Sequence, residues 1–188
     1  MPMKSLWLKL KNGREKKIEM ENIFFIADTH FNHKKILEFE RGNFRDIEEM
    51  NEHIIYCWNS CVKTNDRIYH VGDFSFHDKS QIASRLNGRK FLILGNHDYV
   101  NKETSHLFEW IGDYKKIKIN EQIIVLCHYP FREWQMKQFG SWNLFGHCHG
   151  NLQIPDNELQ MDVGVDSIGY NPVEFSELKL IFQKKILN

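Results

Sequence analysis

The run Asn22-Ile23-Phe24-Phe25-Ile26-Ala27-Asp28-Thr29-His30 decides the fold. Ile23 to Ala27 is continuously apolar and too short for a buried helix, so it reads as a strand covered on both faces. It stops on an acid and a histidine spaced i, i+2. The same design recurs along the chain. Arg67 to Val71 stops at Gly72-Asp73, and Lys90 to Leu94 stops at Gly95-Asn96-His97-Asp98. Ile123 to Cys127 runs into His128, and Trp142 to Phe145 into Gly146-His147-Cys148-His149. Helices are predicted between these strands. Asp46 to Val62 places Ile47, Met50, Ile54, Trp58 and Cys61 at helical spacing behind Asp46 as N-cap. Asp78 to Leu86 ends before Gly88. Lys102 to Trp110 and Ser176 to Ile186 are the remaining helices. Tyr114 to Ile119 forms a hairpin with Ile123 to Cys127, turning at 120–122, and Gln160 to Asp166 is a last strand. The pattern is that of an α/β chain with mixed strands.

At roughly 150 residues per domain, 188 residues predict one domain spanning 1–188. Residues 1–21 are set apart as a hairpin appendage: Leu6 to Leu10, a turn carrying Asn12-Gly13, and Glu15 to Met20. With 41% hydrophobic and 27% charged residues, disordered and collagen-like classes are excluded. The 25 basic residues balance 25 acidic ones, which argues against a nucleic-acid binder working through a broad basic surface. No stretch approaches the roughly 20 apolar residues of a membrane span, and no signal-peptide pattern is present. Cys57, Cys61, Cys127 and Cys148 show neither CxxC spacing nor a disulfide framework. A cytoplasmic protein is expected.

Ten histidines are many for this length, and half of them crowd the strand ends. In open α/β sheets, ligand sites lie beyond the carboxyl ends of strands. Residues i and i+2 there point the same way, so Asp28 with His30 and His147 with His149 can each converge. Glycines beside them let backbone approach a crowded centre. A mixed imidazole and carboxylate set suits Mn, Fe, Zn, Co or Ni better than Ca or Mg. Seven candidate donors exceed the needs of one ion. They suffice for two ions about 4 Å apart sharing a carboxylate, the arrangement used for hydrolytic displacement at phosphorus.

Taken in this order, the blocks resemble the calcineurin-like metallophosphoesterase superfamily over Ile23 to Asp166. The opening Asp28-Thr29-His30-Phe31-Asn32-His33 is most similar to its small bacterial and phage members. The resemblance implies a four-layer α/β/β/α sandwich of two mixed sheets with a dinuclear metal site at the strand C-terminal ends. It implies that Asp28, His30 and His149 hold one divalent ion, that Asn96, His128 and His147 hold the other, and that Asp73 bridges them. Mn2+ is the expected metal, with Fe, Zn, Ni and Co as alternatives. A metal-activated water would then attack phosphorus while His97 assists the leaving group. The implied substrates are phosphodiesters or nucleotides; a nuclease and a non-catalytic scaffold are the other readings. One departure bears on substrate. The phosphoprotein phosphatases carry a second Asp three positions after the bridging one, followed by Arg-Gly. Here Phe76 takes that place and no arginine follows, which argues against a Ser/Thr protein phosphatase. Asp78 and Asp98 remain as acids that could orient His97.

Asn32 and His33 follow the first block closely enough to contact substrate, as does His77 after the second; a helix N-terminal cap is the alternative for the first pair. In the long loop Tyr129 to Ser141, Arg132 offers a guanidinium to a phosphate oxygen and Trp134 an aromatic face to a base. The alternative there is a loop pinned by a buried tryptophan. His70, inside an apolar strand, is read as a core residue or one supporting the ligands, and His53 and His106 as surface or packing groups.

Overall fold

The computed structural model describes residues 6–9, 15–18 and 21–187. At its start β1 (Leu6–Lys9) and β2 (Glu15–Ile18) pair antiparallel with Leu6 opposite Ile18, as the hairpin reading expects. The Asn12-Gly13 turn itself lies outside the described residues. The strands β3 (Ile23–Ile26), β4 (Arg67–Val71) and β5 (Arg89–Ile93) follow, with α1 (Ile36–Phe39) and α2 (Ile47–Cys61) between the first two and α3 (Lys79–Arg85) before the third. Then come α4 (Lys102–Ser105), β6 (Trp110–Gly112), β7 (Tyr114–Ile119), β8 (Gln122–Cys127) and β9 (Trp142–Phe145). The chain closes with β10 (Gln160–Asp162), α5 (Val165–Ile168), β11 (Val173–Glu174) and α6 (Phe175–Leu187).

Two mixed sheets form the body. One has the order β11-β3-β4-β5-β6 and the other β10-β9-β8-β7. β3, β4 and β5 run parallel in register, Ile26 beside His70 and His70 beside Leu92, so their carboxyl ends share one edge. Alternation along these strands divides the core. Phe25, Tyr69, Val71 and Ile93 face Ile124, Leu126, Trp142 and Leu144 of the second sheet, and Leu178 and Phe182 of α6 join that cluster. Phe24, Ile26, Ile68 and Leu92 face the helices, against Met50, Ile54 and Trp58 of α2 and Ile82 of α3. Burying each such side chain is worth about 1.5–3 kcal/mol. The start of α2 is set by Asp46, whose carboxylate accepts from Glu49 N at 2.8 Å, while Glu49 reaches back to Arg45 N at 2.7 Å. Among the described residues no helix is long and apolar enough to cross a membrane.

Two elements differ from the sequence expectation. The helix expected over Lys102 to Trp110 stops at Ser105, and Trp110 becomes the start of β6. The open edge of β5 captures it: Glu109 N donates to Lys90 O at 2.8 Å, and Trp110 to Gly112 then run beside Phe91 to Ile93. An aromatic and a β-branched residue gain more from that edge than from another helical turn. The strand expected over Gln160 to Asp166 ends at Asp162. Val163 O accepts from Ala27 N at 2.8 Å and Val165 N donates to Ala27 O at 3.0 Å, so the chain crosses to the end of β3 and turns into α5.

Candidate metal centre

Three of the strand ends, those of β3, β4 and β9, leave the sheet through residues in the left-handed conformation. Asp28, His30, Asp73, His147 and His149 have φ of 55, 48, 57, 68 and 47°. Left-handed backbone costs a residue with a side chain about 1–3 kcal/mol, and such strain persists where the surrounding structure fixes it. The glycines explain part of that fixing. A Cβ on Gly72, itself at φ +95°, would lie 2.2 Å from His128 Nδ1, and one on Gly146 would lie 2.6 Å from Asp28 Oδ2.

Five of the seven predicted ligands fall in two groups that share Asp28. Donor atoms of Asp28, His30 and His149 lie within 4.8 Å of one another, as do those of Asp28, Asp73 and His128. Asp73 Oδ2 is 3.6 Å from His30 Nε2 and 3.5 Å from His128 Nε2. Asn96 Oδ1 lies 3.1 Å from both His128 Nε2 and His147 Nδ1. Asp28 is held from behind, accepting from His147 N at 2.9 Å.

The protonation pattern asks for a cation. His128 Nδ1 lies 3.0 Å from Val71 O, a group that only accepts, so Nδ1 carries the proton. Its Nε2 lone pair then faces two oxygens, Asn96 Oδ1 and Asp73 Oδ2, which only a proton or a metal ion reconciles. Burial lowers the basicity of His128, but its bond to Asp73 and the charges of Asp73 and Asp28 outweigh that and raise it above the ordinary value. Burial also works against the Asp73 carboxylate, yet His128, the His97 N–H and His30 hold it well below the usual range. Burial pushes Asp28 up to about 7 against the pull of His128 and His149. It pushes His30 down to about 2, and neither nitrogen of that ring has a hydrogen-bond partner among the described residues. A buried imidazole with a free lone pair, beside the ionised Asp73 and an Asp28 carboxyl that burial discourages from ionising alone, fits a divalent ion.

His97 stands at the open side. Its N–H donates to Asp73 Oδ1 at 2.9 Å, and its ring, exposed, packs 5.0 Å from Phe76 and 5.7 Å from His30. Asp98 does not orient it. Both Asp98 oxygens are committed to backbone, accepting from Asp73 N at 2.7 Å, Gly95 N at 3.0 Å and Phe74 N at 3.0 Å. That carboxylate ties the second and third strand ends together.

The residues proposed for substrate are spread more widely. His33 stacks on Phe76 beside His97. Asn32 uses its amide internally, donating to His77 O at 2.9 Å and accepting from Asn51 Nδ2 at 2.7 Å. His77 is exposed and enters this lattice through its carbonyl. Trp134 is buried and donates to Ser141 O at 3.1 Å, and exposed Arg132 accepts from Lys137 Nζ through its carbonyl. Both belong to the loop Tyr129 to Ser141, where Arg132 lines a cavity of about 430 Å³ with Lys137, Leu152 and Glu158. His70 donates to Thr29 Oγ1 behind the first ligand block.

Three residues that matter here were not singled out from sequence. Arg41 is fully buried and paired with Asp166 at 2.8 Å, and Asp166 Oδ2 lies 2.6 Å from His149 Nδ1. Asp162 accepts from Gly150 N at 2.9 Å and Gly164 N at 2.7 Å. The available signal was that Asp162 and Asp166 flank Gly164 at one more strand end.

A sandwich of two mixed sheets carrying an Asp/His/Asn cluster at its strand ends is the architecture of a metal-dependent phosphoesterase. Residues 21–179 match the family described as calcineurin-like phosphoesterase, and the chain belongs to that family of metal-dependent phosphoester hydrolases. It is 30% identical over 181 residues to an uncharacterised protein of Methanocaldococcus jannaschii, covering 90% of this chain and 97% of that one. It is 27% identical over 186 residues to the gene 66 protein of Mycobacterium phage L5, covering 80% of this chain and 89% of the phage protein. Among solved structures, a protein of unknown function from Aquifex aeolicus shares the fold with a TM-score of 0.69 and 24% identity, covering 86% of this chain and all of that one.

Proposed function

We propose that this chain is a two-metal phosphohydrolase that cleaves phosphodiesters or nucleotide esters, with Mn2+ as its resident ion. The observation that carries the reading is the position of Asp73 Oδ2, set between His30 Nε2 and His128 Nε2 at 3.6 and 3.5 Å. One carboxylate oxygen within reach of two imidazoles that belong to different ligand groups supports Asp73 as the bridging ligand. Asp28, His30 and His149 would hold one ion, Asn96, His128 and His147 the other, and Asp73 would be shared between them. Two bound cations supply a water of lowered pKa and neutralise charge on the phosphoryl oxygens.

The chain's own residues do the rest. Asp98 and Arg41 hold the strand ends in place, so donor positions need not reorganise as phosphorus is attacked. His97 places a ring N–H on the open side for the leaving oxygen. Arg41 is buried and committed to Asp166, so it offers nothing to a phosphate on that side. A diester, with one negative charge, asks for less positive charge than a monoester dianion, which favours diesters.

The test compares an aryl phosphodiester with an aryl phosphomonoester in added Mn2+ and then in chelator. Diester hydrolysis that chelator abolishes is expected. Metal-loaded protein that cleaves neither ester, and no nucleotide or oligonucleotide, overturns the reading.

A further inference from the structure

Four of the five side-chain hydrogen bonds of Arg41 lead to Asp166 and to the Asp28-Thr29 backbone, the supports of His149, Asp28 and His30. Its Nε donates to Asp166 Oδ1 at 2.9 Å and its Nη2 to Asp166 Oδ2 at 2.8 Å and to Asp28 O. Its Nη1 donates to Thr29 O at 2.9 Å and lies 3.7 Å from Met50 Sδ. All five N–H bonds of the guanidinium are thereby used. Asp166 passes the contact on, accepting a hydrogen bond from His149 Nδ1–H at 2.6 Å. We infer that Arg41 and Asp166 are a positioning pair for the metal position formed by Asp28, His30 and His149, and not for the position formed by Asn96, His128 and His147. The inference rests on the two-metal reading above.

Three physical effects converge. A carboxylate on Nδ1–H fixes the His149 tautomer, turns its Nε2 lone pair to the ion and makes the imidazole a better donor. The two carbonyls gripped by Arg41 belong to Asp28, itself at φ 55°, and to Thr29, which precedes His30 at φ 48°. The guanidinium holds that strained turn in the one shape that aims Asp28 and His30 together. A buried Arg–Asp pair is also a poor way to gain stability, since apolar side chains of similar size do as well. Its value lies in placement. The second position has separate supports, with His128 anchored on Val71 O and Asn96 between two imidazoles.

The test titrates Mn2+ into chelator-stripped wild-type protein and the Asp166→Asn variant by calorimetry, with electron paramagnetic resonance of the loaded forms. Wild type should take two ions with a spin-coupled signal. The variant should keep one site near wild-type affinity and lose about 10–100-fold at the other, its signal becoming that of isolated Mn2+. Two sites of unchanged affinity overturn the inference, and so does equal weakening of both, which a merely structural role would give. Wild type binding fewer than two ions would instead overturn the two-metal reading. Should Asp166→Asn not fold, histidine 15N resonances of wild-type protein carry the test with Zn2+ as a diamagnetic ion. His149 Nε2 should shift on binding while Nδ1 keeps its proton; a metal-shifted Nδ1 overturns the proposal.

Discussion

The His33 imidazole lies flat on the Phe76 ring, centroids 3.7 Å apart and planes 10° from parallel. Phe76 meets His97 on the same wall at 5.0 Å. An aromatic ring therefore occupies the place from which a carboxylate could grip His97, and it orients two imidazoles by contact alone. Replacing it with alanine releases both. The Phe76→Ala variant should lose about tenfold in kcat on an aryl diester, the cost of misplacing a proton donor, while retaining its bound metal. Steady-state kinetics alongside metal analysis checks this, and a fall in metal content would assign Phe76 to the ligand scaffold instead.

His97 itself should act on the leaving group rather than on the ions. Its ring is exposed on the open side, while only its backbone N–H touches Asp73. The His97→Asn variant should therefore lose about 100-fold in kcat on alkyl diesters, whose leaving oxygens need a proton, and less on nitrophenyl esters. An equal loss on alkyl and nitrophenyl esters would remove the proton-donor role.

Gly146→Ala should separate crowding from chemistry. The added Cβ would meet Asp28 Oδ2 at 2.6 Å and the Ala27 side chain at 2.7 Å. Overpacking of this kind costs about 1–3 kcal/mol, and the strain falls on a carboxylate that must aim at an ion. Mn2+ affinity should drop with the melting temperature, and the melting-temperature gain on adding Mn2+ should shrink. An undiminished gain would mean Asp28 is free to move aside.

The strand ends were legible because each apolar run stops abruptly on Asp, Asn or His, and α2 because its apolar residues recur at helical spacing behind Asp46. What escaped depended on distant partners. β6 forms because β5 has an open edge, which no local property of Lys102 to Trp110 records. β11 is two residues long and exists only against Phe24 and Phe25. Arg41 and Asp166 are 125 residues apart, and neither sits in a motif. Substrate contacts were the least legible, because Asn32 and Trp134 look alike as substrate binders and as internal ties until their partners are seen.

His70 should leave a signature in acid. Thr29 gives its hydroxyl proton to Phe74 O at 2.7 Å, so His70 Nε2 donates to Thr29 at 2.9 Å, and its Nδ1 is buried without a partner among the described residues. Burial lowers its pKa to about 3 from the ordinary 6.5, with Asp73 opposing. Between those values the unfolded chain binds a proton that the folded protein refuses. Stability from this group is complete above pH 6.5 and is lost as pH falls toward 3, by about 1.4 kcal/mol per pH unit. Urea unfolding in chelator at pH 7 and pH 5 should show a shallower loss for His70→Gln than for wild type. Equal losses would mean that the folded protein accepts the proton.

Trp134 decides between a base platform and a loop pin. Its indole is 9% exposed, donates to the carbonyl of buried Ser141, and lies under Lys137 Nζ at 4.5 Å. Those contacts use the ring face and the N–H that a nucleobase would need. Trp134→Phe keeps the apolar bulk and removes the hydrogen bond, a loss of about 1 kcal/mol or somewhat more because the Ser141 carbonyl is left unpaired. The melting temperature should fall by about 2–4 °C, with kcat/KM unchanged on aryl diesters and on nucleotide esters alike. A selective rise in KM for nucleotide esters, with the fold intact, would place Trp134 against the substrate.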